Sequence, residues 1–408
     1  MKKLSLIFFA FITVAAVFGQ KALRTTAFND LRKGQLDKAM QNIEPTISDA
    51  STMSDPKTWF YRGNIYLQIH MSTNPEYKNL DPNALDKSYE SYKKLLELDA
   101  KKEYYTEAIQ NIFVISEQLY NQGVNHFKNG DSLNSNADLA KANADFAKAK
   151  SDSTKAVADF SKALLSFERA VDVNATYGSV DTLAIFNAGL SADKANNFAK
   201  AKEYYGKVIV MNFPQPLVFN SLSDVYLKEK DTLQALATIQ TGRVKYPDNF
   251  NLLIAETNIY LAAKQNDKAM ANLQEAVKTD PLNPTIHYAV GVNYFTMNNL
   301  ADAEKSYLKA IEIKSDYFEA NYNLGALYVN QAATLIDKAN KLPLSATAEY
   351  DALKLQADDV LKKSIPYLEA ASKLDPSDKS TLLSLKEIYT RLNMLDKRKE
   401  IEAKLAGL

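Results

Sequence analysis

The stretch Asn283–Asp316, NPTIHYAVGVNYFTMNNLADAEKSYLKAIEIKSD, decides the fold because the chain around it repeats every 34 residues. Four such units follow one another from Thr182 to Tyr317 without an insertion. Alanine holds position 20 of each unit, at Ala201, Ala235, Ala269 and Ala303. A large apolar residue holds position 24, at Tyr205, Ile239, Leu273 and Tyr307. Each unit therefore has room for two helices of about a dozen residues that pack small side chains against large ones.

Two further columns complete the pattern. Position 8 takes small residues, at Gly189, Ser223, Thr257 and Gly291, and position 11 takes Ala192, Tyr226, Tyr260 and Tyr294. Pro247 and Pro281 stand at position 32 of their units, where proline predicts the end of a helix. The repeat thus predicts a row of helical hairpins.

The pattern W-x2-L-G-x2-Y, then A-x3-F-x2-A and P, resembles the tetratricopeptide repeat. Its residues are matched here by Gly291, Tyr294, Ala303, Tyr307 and Ala310, and upstream by Trp59, Gly63 and Tyr66. The resemblance implies an all-α fold, a right-handed α-solenoid of helix-turn-helix pairs. Each pair in such a solenoid buries its apolar face only against its neighbours.

The departures from the 34-residue period predict how the chain is divided, with two pairs elongated. The segments are 1–19, a signal peptide; 20–101, N-terminal repeat-like pairs; 102–178, an elongated helical hairpin; 182–317, the four regular units; 318–378, an elongated repeat-like pair; and 379–408, a C-terminal capping pair.

The elongated hairpin is predicted from two helix-compatible runs. The first extends from Lys102 to Asn129, and Gly130 with Asp131 is expected to end it. The second continues to Asn174 and carries small and apolar residues spaced alternately three and four apart, at Leu139, Ala142, Phe146, Ala149, Ser153, Ala156, Phe160, Ala163, Phe167 and Ala170. Such spacing indicates a coiled-coil seam between antiparallel helices. An alternative for the segment 134–145 is a frayed or separate piece.

Two other insertions are expected. Residues Met71–Asn83, rich in Pro and Asn, predict a long loop inside the second pair. In the pair that starts at Phe318, the closing half arrives late, so both helices are expected to be longer, with Pro343 at the bend and a kink at Pro366.

The N-terminus has the pattern of a secretory signal peptide, with Lys2 and Lys3 before the apolar run Leu4–Val17. At about 14 residues the run is short for a bilayer span, which takes about 20; an uncleaved anchor is the alternative. The chain has no cysteine, so a lipidated cysteine, a disulfide and a cysteine-ligated zinc are excluded. These features predict a periplasmic or secreted protein with no membrane span after the signal is removed.

The charge balance does not favour polyanionic partners. Lys and Arg number 49, as do Asp and Glu, and removal of Lys2 and Lys3 leaves 47 against 49, a net charge of −2. Neither nucleic acid nor an anionic membrane attracts such a balance.

Since first helices line the concave face in the tetratricopeptide family, the resemblance implies a partner-binding lane at positions 2, 5, 9 and 12. Its residues are Phe186, Leu190, Leu217, Asn220, Asp224, Leu227, Ile254, Asn258, Leu261, Tyr288, Val292, Phe295, Tyr322 and Val329. An exposed apolar lane suits a protein or peptide ligand, such as an extended peptide or an amphipathic helix. The other interpretation is that neighbouring helices cover the lane as core. The basic side chains with which some family members bind a carboxylate are absent from position 5.

The sequence predicts no catalytic, cofactor or metal site. His70, His126 and His287 lie in different units, and no thiol or known catalytic motif occurs. The function predicted is an exported, non-enzymatic scaffold for protein or peptide partners in the cell envelope. The alternative is a glycan-binding helical-repeat protein, which would need aromatic residues outside positions 11 and 24.

Overall fold

The computed structural model describes residues 19–407, which contain helices and their connections and no strand. The chain divides into two compact units at Glu229 and Lys230. The helices of unit 1 are α1 (19–32), α2 (Leu36–Ile43), α3 (Pro56–Met71), α4 (Pro75–Lys78), α5 (Ala84–Leu98), α6 (Tyr105–Ala142), α7 (Phe146–Ala175), α8 (Thr182–Lys194), α9 (Phe198–Val210) and α10 (Leu217–Lys228). The helices of unit 2 are α11 (Thr232–Lys245), α12 (Phe250–Ala262), α13 (Asn266–Thr279), α14 (Pro284–Thr296), α15 (Leu300–Ile313), α16 (Phe318–Asn340), α17 (Thr347–Leu374), α18 (Lys379–Arg391) and α19 (Leu395–Ala406).

The turn inside a helix pair has one recurring conformation. A residue with positive φ is followed at once by the N-cap of the second helix, as in Asn196–Asn197 and Asn298–Asn299. The N–H of Asn299 also bonds to the carbonyl of Tyr294 at 2.8 Å, which satisfies a carbonyl that the end of the first helix leaves free. The same backbone device recurs at Gly34, Ala144, Lys264 and Asn393. It reverses the chain in three residues and makes antiparallel neighbours.

Side-chain caps begin most of the regular helices. Asn249 and Asn283 accept hydrogen bonds from the backbone at Leu252 and Thr285, and Pro284 follows as the first residue of α14. These side chains satisfy N–H groups that no intrahelical carbonyl reaches. Helices α11 and α13 end just before Pro247 and Pro281, as the sequence predicts.

The repeat columns pack as the sequence predicts. Ala201, Ala235, Ala269 and Ala303 are fully buried, and so are the residues four positions later, Tyr205, Ile239, Leu273 and Tyr307. A Cβ atom on Gly189 would lie 2.9 Å from the ring of Tyr205, so the glycine at position 8 makes room for the aromatic ring. In the pair α8–α9 the small and large columns thus meet between the two helices.

The elongated hairpin is present, but the expected break at Gly130 is wrong. Helix α6 is 38 residues long and is continuous through Gly130. The chain reverses at Ala144, before the 30-residue helix α7. A Cβ atom on Gly130 would lie 2.7 Å from the ring of Phe160. The glycine therefore allows close approach of two helices and does not make a turn, and the segment 134–142 belongs to α6.

The remaining insertions are also helical in part. The expected loop Met71–Asn83 contains the single helical turn α4. Helices α16 and α17 are 23 and 28 residues long, with Pro343 in their connection, and α17 is continuous through Pro366. The fold class is therefore the predicted one, all-α with tetratricopeptide-like hairpins and two elongated pairs.

Unit 2 also buries one charged network that the sequence did not indicate. Glu256 of α12 is buried and accepts hydrogen bonds from Arg243 of α11, from Gln240 at 3.1 Å and from Asn272 of α13 at 3.1 Å. Arg243 also reaches Glu275 at 2.7 Å. Since a buried carboxylate is stable only when it is paired and bonded, this network fixes how three helices meet.

The predicted signal peptide, except for Gly19, lies outside the described residues. From residue 19 to 407, no helix has the length and apolar character needed to cross a membrane.

Candidate functional site: an apolar groove in unit 2

A groove of about 580 Å³ lies in unit 2 among α16, α17 and α18, and we call it the C-terminal groove. Its apolar lining residues are Val329, Ala333 and Ile336 of α16, Leu361 of α17, and Leu383 and Ile388 of α18. Leu361 and Ile388 are buried. The side chain of Leu383, in contrast, is 55% exposed. The groove therefore has an apolar base and at least one apolar side chain that nothing in the unit covers.

The helical period places these residues on common faces. Val329, Ala333 and Ile336 are spaced four and three apart on α16, so they follow one side of that helix. Their stripe is long because α16 extends beyond the length of a regular first helix. The elongation that the sequence predicts therefore supplies part of the groove wall.

Charged side chains of α18 stand beside the apolar lining. Arg391 donates from Nε to Asp358 Oδ1 of α17 at 2.8 Å, and Lys386 lies 3.6 Å from Glu402 of α19. Glu387 is exposed on the same helix and also lines the groove. Both signs of charge occur, so the lining itself selects no strongly charged ligand.

The predicted lane residues of unit 2 are mostly half-buried. Tyr288 packs 5.3 Å from Tyr317 between ring centroids, and its hydroxyl accepts from Asn323 at 2.8 Å. Phe295 packs against the buried cluster around Tyr307, as does Val292. The structure therefore uses these three lane residues largely for packing between helices.

The other lane residues of unit 2 have mixed surroundings. Tyr322 stacks on Phe318 with ring centroids 6.1 Å apart. Ile254 and Leu261 are half-buried and Asn258 is exposed. Of the predicted lane, Val329 alone lines the C-terminal groove.

In unit 1 one lane residue is wrongly assigned. Phe186 is only 4% exposed, because Phe213 from the connection after α9 stacks on it with centroids 5.1 Å apart and Tyr205 lies on the same ring. Phe186 is therefore a core residue and is not available to a partner. Leu190 is half-buried, whereas Leu217 and Leu227 are exposed.

The polar lane residues of unit 1 lie on α10. The Oδ1 atom of Asn220 is buried and has no hydrogen-bond partner among residues 19–407. Burial raises the pKa of Asp224 above its usual range, Lys228 opposes the change, and the charge of Asp193 adds to it. Lys228 is held by Asp193 at 2.6 Å.

The sequence reasoning missed Leu383, Ile388 and Arg391, because it treated the last helix pair only as a cap. The available signal was the repeat phase, since Leu383 holds position 5 when the count restarts at Lys379. Applied to this pair, the rule that selected the lane also selects Leu383.

Within residues 19–407, no three side chains of His, Asp or Glu converge as a metal site requires. The adjacent acids Asp358 and Asp359 bind different bases, Arg391 and Lys362. Nε2 of His287 lies 2.8 Å from the carbonyl of Pro281.

The hairpins and the groove define a helical-repeat protein of the kind that presents a surface formed by successive helices. Residues 258–298 and 291–331 match the family model described as TPR repeat. Together with the packed repeat columns, this match identifies residues 258–331 as tetratricopeptide repeats.

Three proteins with similarity to this chain share a quarter or less of the aligned residues with it. Tetratricopeptide repeat protein 37 of Xenopus laevis is 25% identical over 138 residues, which are 29% of this chain and 9% of that protein, so the chain spans about a tenth of its relative. The crystal structure of YrrB, described as a TPR protein with an unusual peptide-binding site, superposes with a TM-score of 0.38 and 16% identity, covering 53% of this chain and 96% of YrrB. MamA from Desulfovibrio magneticus RS-1 gives a TM-score of 0.38 and 14% identity, covering 48% of this chain and 97% of MamA.

Proposed function

We propose that the protein is a non-enzymatic scaffold that binds a segment of a partner protein in the C-terminal groove. The observation that carries the proposal is the apolar base of this groove with the exposed Leu383 beside it. Exposed apolar surface in a concave site is unfavourable unless a ligand covers it. Tetratricopeptide repeats typically bind proteins, so we expect the ligand to be a segment of a protein.

The ligand that fits is an amphipathic helix or a short apolar peptide. Val329, Ala333 and Ile336 of α16 and Leu383 of α18 line one groove, into which the apolar side of a helix can insert. The charged side chains Lys386, Glu387 and Arg391 would meet the polar side of that ligand. The ligand should therefore alternate apolar anchors at helical spacing with polar residues of either sign.

We also propose that the scaffold works outside the cytoplasm, in the periplasm or as a secreted protein. The support is the sequence pattern of residues 1–19. Mass measurement of the mature protein from its producing cell tests this. Loss of about the first 19 residues and recovery outside the cytoplasm would support export, whereas an intact N-terminus in the cytoplasmic fraction would refute it.

The binding proposal is tested by selecting peptides from a display library on the purified protein and measuring their affinity by fluorescence anisotropy. Leu383→Asp should weaken the selected peptides at least tenfold, because it places a charge against the apolar base. The matched control is Leu355→Asp, at an exposed leucine of α17 that does not line the groove. Equal affinities for the two variants would refute the groove as the site.

The glycan alternative is separated in the same experiment. A panel of soluble polysaccharides is titrated by calorimetry alongside the selected peptides. The scaffold proposal expects heat from the peptides and none from the polysaccharides, and the reverse result would favour a glycan-binding protein.

A further inference from the structure

A second cleft, of about 600 Å³, lies in unit 1 where α6 and the end of α7 meet the start of α8. We call it the acidic cleft. Its residues that matter here are Phe113, Glu117 and Tyr120 of α6, Tyr177 after α7, and Asp181 with Leu183 at the start of α8. The C-terminal groove lies in the other unit and shares none of these side chains.

Three aromatic rings line the acidic cleft, and two of them are held by their hydroxyl groups. The hydroxyl of Tyr120 accepts from Asn187 Nδ2 at 2.9 Å, and its ring packs edge-on against Phe167 with centroids 5.3 Å apart. The hydroxyl of Tyr177 donates to Asn174 Oδ1. Phe113 is 50% exposed although its ring is apolar and has no group that can bond to water. Tyr120 and Tyr177 also pack against the core, whereas the ring of Phe113 is left open to a ligand.

The charges of the cleft are of one sign. Among the described residues that line it are Glu117 and Asp181, and none is Lys, Arg or His. The carboxylate of Asp181 accepts a hydrogen bond from the backbone N–H of Ala184 at 2.9 Å, as the N-cap of α8. Burial is the main cause that raises the pKa of Tyr120 above its ordinary value, and the negative charge of Asp181 raises it further. The hydrogen bond from Asn187 opposes this change. The field of Asp181 therefore reaches the aromatic wall.

We propose that the acidic cleft binds an arginine side chain of a partner protein. A guanidinium group is flat, so it can stack on the rings of Phe113, Tyr120 or Tyr177, and its five N–H donors can bond the carboxylates of Glu117 and Asp181. An aliphatic side chain would leave both carboxylates without a counter-charge. An anionic side chain would be repelled. The aromatic rings and the charges thus select the same ligand.

The proposal is tested with small probes on the full chain. N-acetyl-arginine amide, the lysine equivalent and the neutral citrulline equivalent are compared by saturation-transfer NMR titration. Citrulline keeps the shape of arginine and lacks its charge, so arginine should bind at least fivefold more tightly than citrulline, and more tightly than lysine. The advantage should shrink as salt is raised, because salt screens exposed charges.

Variants locate the binding. Glu117→Gln and Asp181→Asn should each weaken arginine binding about threefold, the size of an exposed ion pair, and the double variant about tenfold. Asparagine is also a good N-cap, so Asp181→Asn keeps the start of α8 folded. Glu349→Gln, at an exposed glutamate of unit 2, is the matched control and should change nothing.

Two results would overturn the proposal. One is arginine binding no more tightly than citrulline. The other is unchanged arginine binding by the double variant, whose folding is checked by circular dichroism. Neither result bears on the C-terminal groove, which is tested by other residues and other ligands.

Discussion

A Cβ atom on Gly291 would lie 2.6 Å from the ring of Tyr307, so this glycine and this tyrosine occupy one shared space between α14 and α15. The same relationship joins Gly63 with Tyr92, at 2.6 Å, and Gly189 with Tyr205, at 2.9 Å. In the elongated hairpin, a Cβ atom on Gly123 would lie 2.8 Å from the ring of Phe167. A Cβ atom on Gly130 would lie 2.7 Å from the ring of Phe160. Where a helix pair carries a buried ring at this place, a glycine stands opposite it.

We therefore expect Gly291→Thr to destabilise unit 2, because the added side chain overlaps a fully buried ring. Overpacking of this kind costs about 1–3 kcal/mol. The 34-residue repeat 250–283 has Thr257 and Leu273 at the positions of Gly291 and Tyr307. The double variant Gly291→Thr with Tyr307→Leu therefore copies a pair that the chain already contains. The midpoint of urea unfolding, followed by circular dichroism, should fall in the single variant and recover in the double. Additive losses would show that the two positions are not coupled.

Ala144→Gly should stabilise the tip of the elongated hairpin. Ala144 has φ of 58°, a left-handed conformation that costs a residue with a Cβ about 1–2 kcal/mol, while glycine loses about 0.5–1 kcal/mol in chain entropy. The expected net gain is about 0.5–1 kcal/mol. Hydrogen exchange of residues 137–152 should slow in this variant. Ala158→Gly, in the interior of α7, is the control and should speed exchange; the account of the turn fails if both variants speed it.

Glu256→Gln should make the stability of unit 2 less dependent on pH. Burial alone would raise the pKa of Glu256, but the bonds from Arg243, Gln240 and Tyr260 outweigh it and hold the pKa below the ordinary 4.5. A carboxyl group with a lowered folded pKa contributes stability that is fully present above about pH 4.5 and is lost as the pH falls through the folded value.

At pH 7 the glutamine variant should be less stable by about 1.5–3 kcal/mol, the worth of hydrogen bonds to a charged group. Urea unfolding at several pH values between 7 and 3 should show the two proteins converging as the pH falls. Glu349→Gln should follow the unchanged protein throughout. A constant gap from pH 7 to pH 3 would contradict the role assigned to the Glu256 charge.

The fold was predictable from the sequence because the steric columns repeat. Ala303 and Tyr307 can be identified by period alone, and their burial follows from the way two helices must touch. Gly130 was misread because a glycine that makes a turn and a glycine that admits a ring look alike in a sequence. The true turn has alanine at the strained position, and the one local signal for it was Asp145, the N-cap of α7.

The candidate sites were less predictable. The repeat phase predicts which faces of the first helices a partner could contact, but the exposure of each residue depends on what the connections do. Phe186 is lost to the core because Phe213 stacks on it; Phe213 stands at position 32, where the next two repeats have Pro247 and Pro281. Leu383 stays 55% exposed on the same helix as the buried Ile388, a difference that the repeat phase does not show. The acidic cleft depends on where three segments meet, which no single pattern shows.

Photo-crosslinking from position 383 tests the central claim most directly. A benzoylphenylalanine placed at Leu383 is irradiated with a library-selected peptide, and the products are mapped by mass spectrometry beside a protein labelled at Leu355. The account predicts a cross-link to the peptide from position 383 and none from position 355. Equal labelling from both positions, or labelling from 355 alone, would contradict the C-terminal groove as the place where the scaffold holds its partner.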